Sequence, residues 1–151
     1  MPGKSGQGDG LSSPGSAPSV VRSLFEHINA GRWNDAAELL SPNAVDHSAP
    51  PEQAAGRDGW TARWKGVAAM LPDMHTDIQE MVETNGLVAT RSRVTATPAE
   101  GFMGRPPGER SIDVLAFDMM RVRDGLIVEH WGLGDLAAII RQLDLKIVPA
   151  N

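Results

Sequence analysis

The run Ser111 to Arg123 carries a carboxylate where strand alternation calls for an apolar side chain. Its even positions read Ile112, Val114, Ala116, Asp118, Met120 and Val122, an apolar face interrupted only at Asp118. An isolated ionised carboxylate among such neighbours is costly, so the fold must pair it, solvate it in a pocket or keep it protonated. What Asp118 meets depends on the next turn. A two-residue hairpin at Asp124-Gly125 would set Glu129 opposite Met120. A three-residue loop Arg123-Asp124-Gly125, a type I turn closed by glycine, pairs Met120 with Val128 and makes both apolar faces coincide. In that register, which we expect, Asp118 lies directly opposite His130.

An aspartate beside a histidine in an apolar cavity is a candidate proton-transfer pair. The ionised acid raises the histidine pKa, and either group can exchange a proton with a bound molecule. The same pair can equally serve only to satisfy its own hydrogen bonds, and the residues alone leave both readings open. Asp46 and His47 pose a similar question at the end of a short strand, since alternation lets only one of them point inward. We take both as candidate substrate-binding residues, with Phe102, Phe117 and Trp131 as candidate pocket walls, although strand parity cannot turn all three aromatics inward. His27 lies off the apolar stripe of its helix and His75 sits at a strand start, so both are expected at the surface.

Much other chemistry loses support. The histidines at 27, 47, 75 and 130 lack HExxH spacing, and the chain contains no GxxxxGK[ST], GxGxxG or GxSxG. With no cysteine there is no disulfide, thiolate nucleophile or Cys-based zinc site. We therefore expect neither a metal nor a cofactor. A net charge of -5 gives no broad positive field for phosphate backbones or anionic lipid. No stretch approaches the roughly 20 apolar residues of a membrane span, and the N-terminus lacks a secretory h-region. The expectation is a cytoplasmic protein whose partner is a small hydrophobic molecule or a second copy, not nucleic acid or membrane. Arg105 and Arg110 flank Pro106-Pro107-Gly108 and could face an anionic ligand, but solvated loop arginines are commoner.

At 151 residues, 41% of them hydrophobic, the chain fits one globular domain. Residues 1–18 are dominated by Gly, Ser and Pro and read as a disordered tail. The folded domain is expected over 19–145, with 146–151 a C-terminal tail. Val20, Val21, Leu24, Phe25 and Ile28 share one face of a first helix that stops near Gly31. Asn34 or Asp35 can cap a second short helix through Leu40, broken by Ser41-Pro42-Asn43 before a strand carrying Val45, Asp46 and His47. A third helix, Gly56 to Leu71, presents Trp60, Trp64, Val67 and Leu71. Strands follow at His75 to Glu83, Leu87 to Thr97, Ser111 to Arg123 and Leu126 to Gly132, with turns at Asn85-Gly86 and Asp124-Gly125. Asp135 can cap a closing helix with stripe Leu136, Ile139, Ile140, Leu143. Helices, then a meandering antiparallel sheet, then a helix make an α+β fold.

The segments Gly101 to Gly108 (GFMGRPPG) and Met120 to Trp131 (MRVRDGLIVEHW) resemble the paired signatures of SnoaL-like polyketide cyclases, also called ester cyclases, of the nuclear transport factor two-like superfamily. The resemblance runs upstream through Leu71-Pro72-Asp73-Met74-His75 and Val45-Asp46-His47, covering about residues 19 to 143. It implies a cone-shaped, cystatin-like α+β barrel, with helices packed on a curved, mostly antiparallel sheet, a pocket at one end, and dimers formed through the outer sheet. Founding members close polyketide rings by aldol condensation without a cofactor, using an aspartate two residues beyond the position of His130. Gly132 stands there in this chain. The resemblance puts Asp118 where the cyclases keep a polar partner of that acid, and Asp46 where they keep a pocket-lining amide.

Two functions of different kinds follow as expectations. One is a cofactor-independent enzyme, cyclase, isomerase-like lyase or hydrolase, acting on a hydrophobic carbonyl compound through Asp118 and His130. The other is a binding module that lost catalysis with the acid at 132. An epoxide hydrolase would need Asp46 and Asp118 around one activated water.

Overall fold

A computed structural model describes residues 13, 15–104 and 109–149. Helix α1 (Ala17–Asn29) forms where the sequence places an amphipathic stripe, and it buries the same five side chains, Val20, Val21, Leu24, Phe25 and Ile28. It starts two residues before Ser19, because Ser16 caps it by accepting from the Ser19 N–H at 3.3 Å and Pro18 fits the first turn. Most of the expected tail lies outside the described residues. Helix α2 (Trp33–Glu38) is preceded by Arg32 and has no side-chain cap, so Asn34 and Asp35 lie inside the helix and do not cap it.

Strand β1 (Leu40–Asp46) is longer than expected and incorporates Ser41-Pro42-Asn43 instead of being broken there. It is an edge strand whose pairing shifts between Leu40 and Val45, the setting in which a proline without an N–H is tolerated. Next come α3 (Gly56–Met70), β2 (His75–Thr84), β3 (Leu87–Ala96), a 3-10 turn at Phe102–Gly104, β4 (Ile112–Arg123), β5 (Leu126–Gly134) and α4 (Leu136–Leu143). Asp135 caps α4 as expected, its carboxylate accepting from the Ala138 N–H at 2.8 Å.

The five strands lie in the order β1-β5-β4-β3-β2, antiparallel except for the β1–β5 pair. The β4–β5 turn differs from the expected three-residue loop. Arg123 pairs with Leu126, and Asp124 (φ 50°) and Gly125 (φ 76°) form a two-residue turn with both φ positive. Asn85 and Gly86 make the same kind of turn between β2 and β3. Alternation is restored by a bulge. Val122 pairs with Ile127 and Arg121 with Glu129, leaving Val128 as the extra residue. Met120 therefore faces His130 across the ladder, and Asp118 pairs with Gly132 instead of His130.

The inner sheet face buries two clusters. One joins α1 to Trp60, Val88, Met120 and Ile127. The other gathers Leu71, Ile112, Val114, Ala138 and Leu143 under α4. Among the described residues, no helix is long and apolar enough to cross a membrane.

Candidate functional site

Three strands bring three titratable side chains together between these clusters. Asp46 ends β1 and is the parallel partner of His130 on β5, an alignment locked by the His47 N–H donating to the His130 carbonyl at 2.9 Å. Asp118 on β4 lies diagonal to His130, and the contact expected from the sequence survives the change of register. His130 Nε2 lies 2.9 Å from Asp118 Oδ1 and Nδ1 lies 3.1 Å from Asp46 Oδ1. The three side chains are 4%, 11% and 5% exposed for His130, Asp118 and Asp46.

With an acid oxygen against each ring nitrogen, an imidazole carrying both protons can donate to both at once. Burial opposes that charge, but the hydrogen bonds and charges of Asp118 and Asp46 outweigh it and raise the His130 pKa from 6.5 to about 9. Burial likewise works against ionisation of Asp46. It is overcome by the His130 hydrogen bond and charge, the Ser48 N–H and Arg63, which hold that carboxyl at about 2. Arg63, on α3, donates to Asp46 Oδ2 at 3.0 Å, and the Ser48 N–H donates to Oδ1 at 3.0 Å. The buried ring of Trp60 stands perpendicular to the imidazole, ring centroids 6.3 Å apart. Imidazolium and guanidinium thus balance two carboxylates, the condition for holding such charges out of water.

Asp118, His130 and Gly132 line a cavity of about 210 Å³ whose other walls include Phe25, Val67, Met74, Val94 and Val114. Arg63, Ser48 and Thr76 add polar groups to the wall. Asp118 bonds His130 through Oδ1, and among the described residues its Oδ2 has no hydrogen-bond partner. A carboxylate with one oxygen fixed and one unclaimed at an apolar cavity wall can accept a proton from a bound molecule. His130 has no nitrogen left over for ligand or metal in this arrangement.

Other expected residues fall elsewhere. His47 and Trp131 lie on the opposite face of the sheet, stacked on each other with centroids 4.5 Å apart. His47 is bonded to Glu129 at 3.3 Å. Phe117 is 52% exposed on that same outer face, because odd positions of β4 point away from the cavity. These three do not line the cavity, which corrects the expectation. Phe102 packs against the second core cluster. Asp46 does turn inward, but as a partner of His130. An imidazole separates Asp46 from Asp118, so they do not flank a common water site. Arg105 lies outside the described residues, and Arg110 reaches the Gln142 carbonyl at 3.5 Å. His75 is exposed, and His27 accepts from Arg32 at 3.0 Å away from the site. Arg63 and Ser48 were not anticipated. The Asp46-His47-Ser48 turn hinted at the second, whereas nothing in the helical pattern of α3 pointed to the first.

Helices packed on a five-stranded, mostly antiparallel sheet make a mixed α+β fold, the architecture shared with SnoaL-like neighbours. The profile of SnoaL-like polyketide cyclases matches residues 19–143, and the chain belongs to this family. Its structure is similar to that of IdmH from Streptomyces antibioticus, a proposed polyketide cyclase. The two are 34% identical, with TM-score 0.75 over 85% of this chain and 99% of that one. It shares its fold with a proposed SnoaL-like polyketide cyclase of Jannaschia sp. CCS1 (18% identical, TM-score 0.77, 94% and 100% covered). The same holds for AclR from Streptomyces galilaeus, a proposed hydroxylase (22% identical, TM-score 0.74, 88% of each chain). No curated protein matches the chain.

Proposed function

We propose that the protein is an enzyme needing no cofactor that rearranges or cyclises a hydrophobic, carbonyl-bearing small molecule, with Asp118 as its acid/base group. The observation that carries this reading is the carboxylate at the cavity wall, fixed to a buried imidazolium through one oxygen and unclaimed at the other. Asp118 takes a proton from the carbon beside the carbonyl, and the electron pair passes into the carbonyl to give an enolate. The enolate attacks a second carbonyl of the same molecule, and the Asp118 carboxylic acid returns its proton to the new alkoxide. His130 touches no substrate in this scheme. It is a positioning residue whose charge keeps Asp118 oriented, and Asp46 with Arg63 holds His130. Membership of the cyclase family and the likeness to IdmH support the substrate class.

The test is mass spectrometry of the host's small-molecule extract after incubation with the wild-type protein and with Asp118→Asn. Products made only by the wild type sustain the proposal. A compound retained unaltered and equally by both proteins favours a binding module instead. We further propose a homodimer through the outer sheet face, where Leu115, Phe117 and Met119 are 40 to 52% exposed. Phe117→Glu is expected to convert the dimer to monomer in sedimentation analysis.

A further inference from the structure

Gly132 is the Cα partner of Asp118 across the β4–β5 ladder and borders the same cavity. Its φ lies outside the left-handed region, so the backbone does not call for glycine there. Space does. A Cβ built on Gly132 would lie 2.8 Å from Asp118 Oδ1 and 3.0 Å from both Cε1 and Nε2 of His130, the groups that form the Asp118–His130 hydrogen bond. The glycine cannot easily back away, because its N–H donates to Ser48 Oγ at 2.7 Å. Gly134, two residues on and bordering the same cavity, is a natural contrast, since a Cβ there meets nothing within 4 Å.

We infer that Gly132 is a positioning residue: lacking a side chain, it lets the Asp118 carboxylate seat against His130, so any side chain at 132 and that contact exclude one another. The atoms nearest the hypothetical Cβ are the Asp118 oxygen and the His130 ring themselves, so the room a side chain needs must come out of the Asp118–His130 contact. The acid of this site can therefore stand on β4, as here, or at position 132 on β5, but the two arrangements do not coexist. The steric exclusion at Gly132 follows from the backbone and side-chain positions alone. Its consequence for turnover rests on the reading of Asp118 as the acid/base group.

The experiment is an NMR titration of the His130 imidazole, assigned with His130→Gln, in the wild type, Gly132→Ala, Gly134→Ala, Asp118→Ala and Asp118→Ala with Gly132→Ala. Gly132→Ala is expected to drop the His130 pKa from about 9 toward 6.5, about as far as Asp118→Ala does, while Gly134→Ala leaves it unchanged. In the Asp118→Ala background the added Gly132→Ala change is expected to have little further effect. A wild-type titration in Gly132→Ala overturns the inference, and so does an equal drop with and without Asp118. If Gly132→Ala alone does not fold, folding of the double variant sustains the inference and its failure to fold overturns it. No substrate enters these readouts, so if they behave as expected while Asp118→Asn still turns over substrate, only the enzymatic reading falls.

Discussion

The sheet carries two carboxylate–histidine groupings back to back, built from neighbouring residues. Asp46 and His130 meet Asp118 on the inner face, whereas His47 and Glu129 meet Arg121 on the outer one. The residue types are nearly the same, but the surroundings are not. Inner side chains are 4 to 11% exposed, while His47 and Glu129 are 39% and 32% exposed. On the outer face the His47 hydrogen bond lowers the Glu129 pKa despite some desolvation, with help from Arg121, yet water and salt compete for every contact. On the inner face the side chains are largely shielded, so water replaces a lost partner less readily. Enclosure, more than residue type, turns a histidine and an acid into a chemically poised group.

The largest break in this comparison is expected at Asp118. Asp118→Asn should lower turnover by about 10²- to 10⁴-fold, the usual range for a general acid/base, whereas Glu129→Gln should leave product formation at the wild-type rate. Next is stability. Asp46→Asn removes one of the two carboxylate charges facing a buried imidazolium and should cost about 3 kcal/mol in denaturant unfolding, since breaking a buried ion pair strands its partner. Glu129→Gln should leave the melting temperature near that of the wild type.

A third effect is pH dependence. The folded-state pKa of His130 is about 9 against an ordinary 6.5, so the proton is held more tightly in the fold. The resulting stabilisation, on the order of 3 kcal/mol, is fully present below pH 6.5 and is lost as pH rises through 9. Unfolding free energies measured across that window should fall, and His130→Gln should flatten the decline. Asp46, depressed from 3.8 to about 2, acts at the other end, its share present above pH 3.8 and lost as pH falls through 2. Smallest is His47→Ala, for which raising salt should shrink the difference from the wild type in melting temperature to what the lost Trp131 stacking contributes.

How much of this could be read from the chain depended on the range of the information. The break in alternation at Asp118, the Asn85-Gly86 turn, the Asp135 cap and the stripe of α1 are local patterns, and each appears as expected. The β4–β5 register did not follow, because an extra residue can sit in a turn or in a bulge with the same effect on facing. The sequence favoured the turn and the fold uses the bulge at Val128. Whether Asp46 or His47 points inward was illegible for another reason. The answer is set by the pairing of β1 with β5, residues more than eighty positions apart, which no window of sequence contains. The outward turn of Phe117 and Trp131 follows from the same strand parity that turns Asp118 and His130 inward.

The bulge bears on how relatives should be compared. Because Val128 has no partner on β4, a cousin lacking it could run the ladder straight from Ile127 to Glu129 and still bring the equivalent of His130 opposite Met120. The proper alignment of such a chain opens a one-residue gap at Val128. Sliding the strand to close that gap would match this imidazole with an outward-facing side chain and make a shared site look absent.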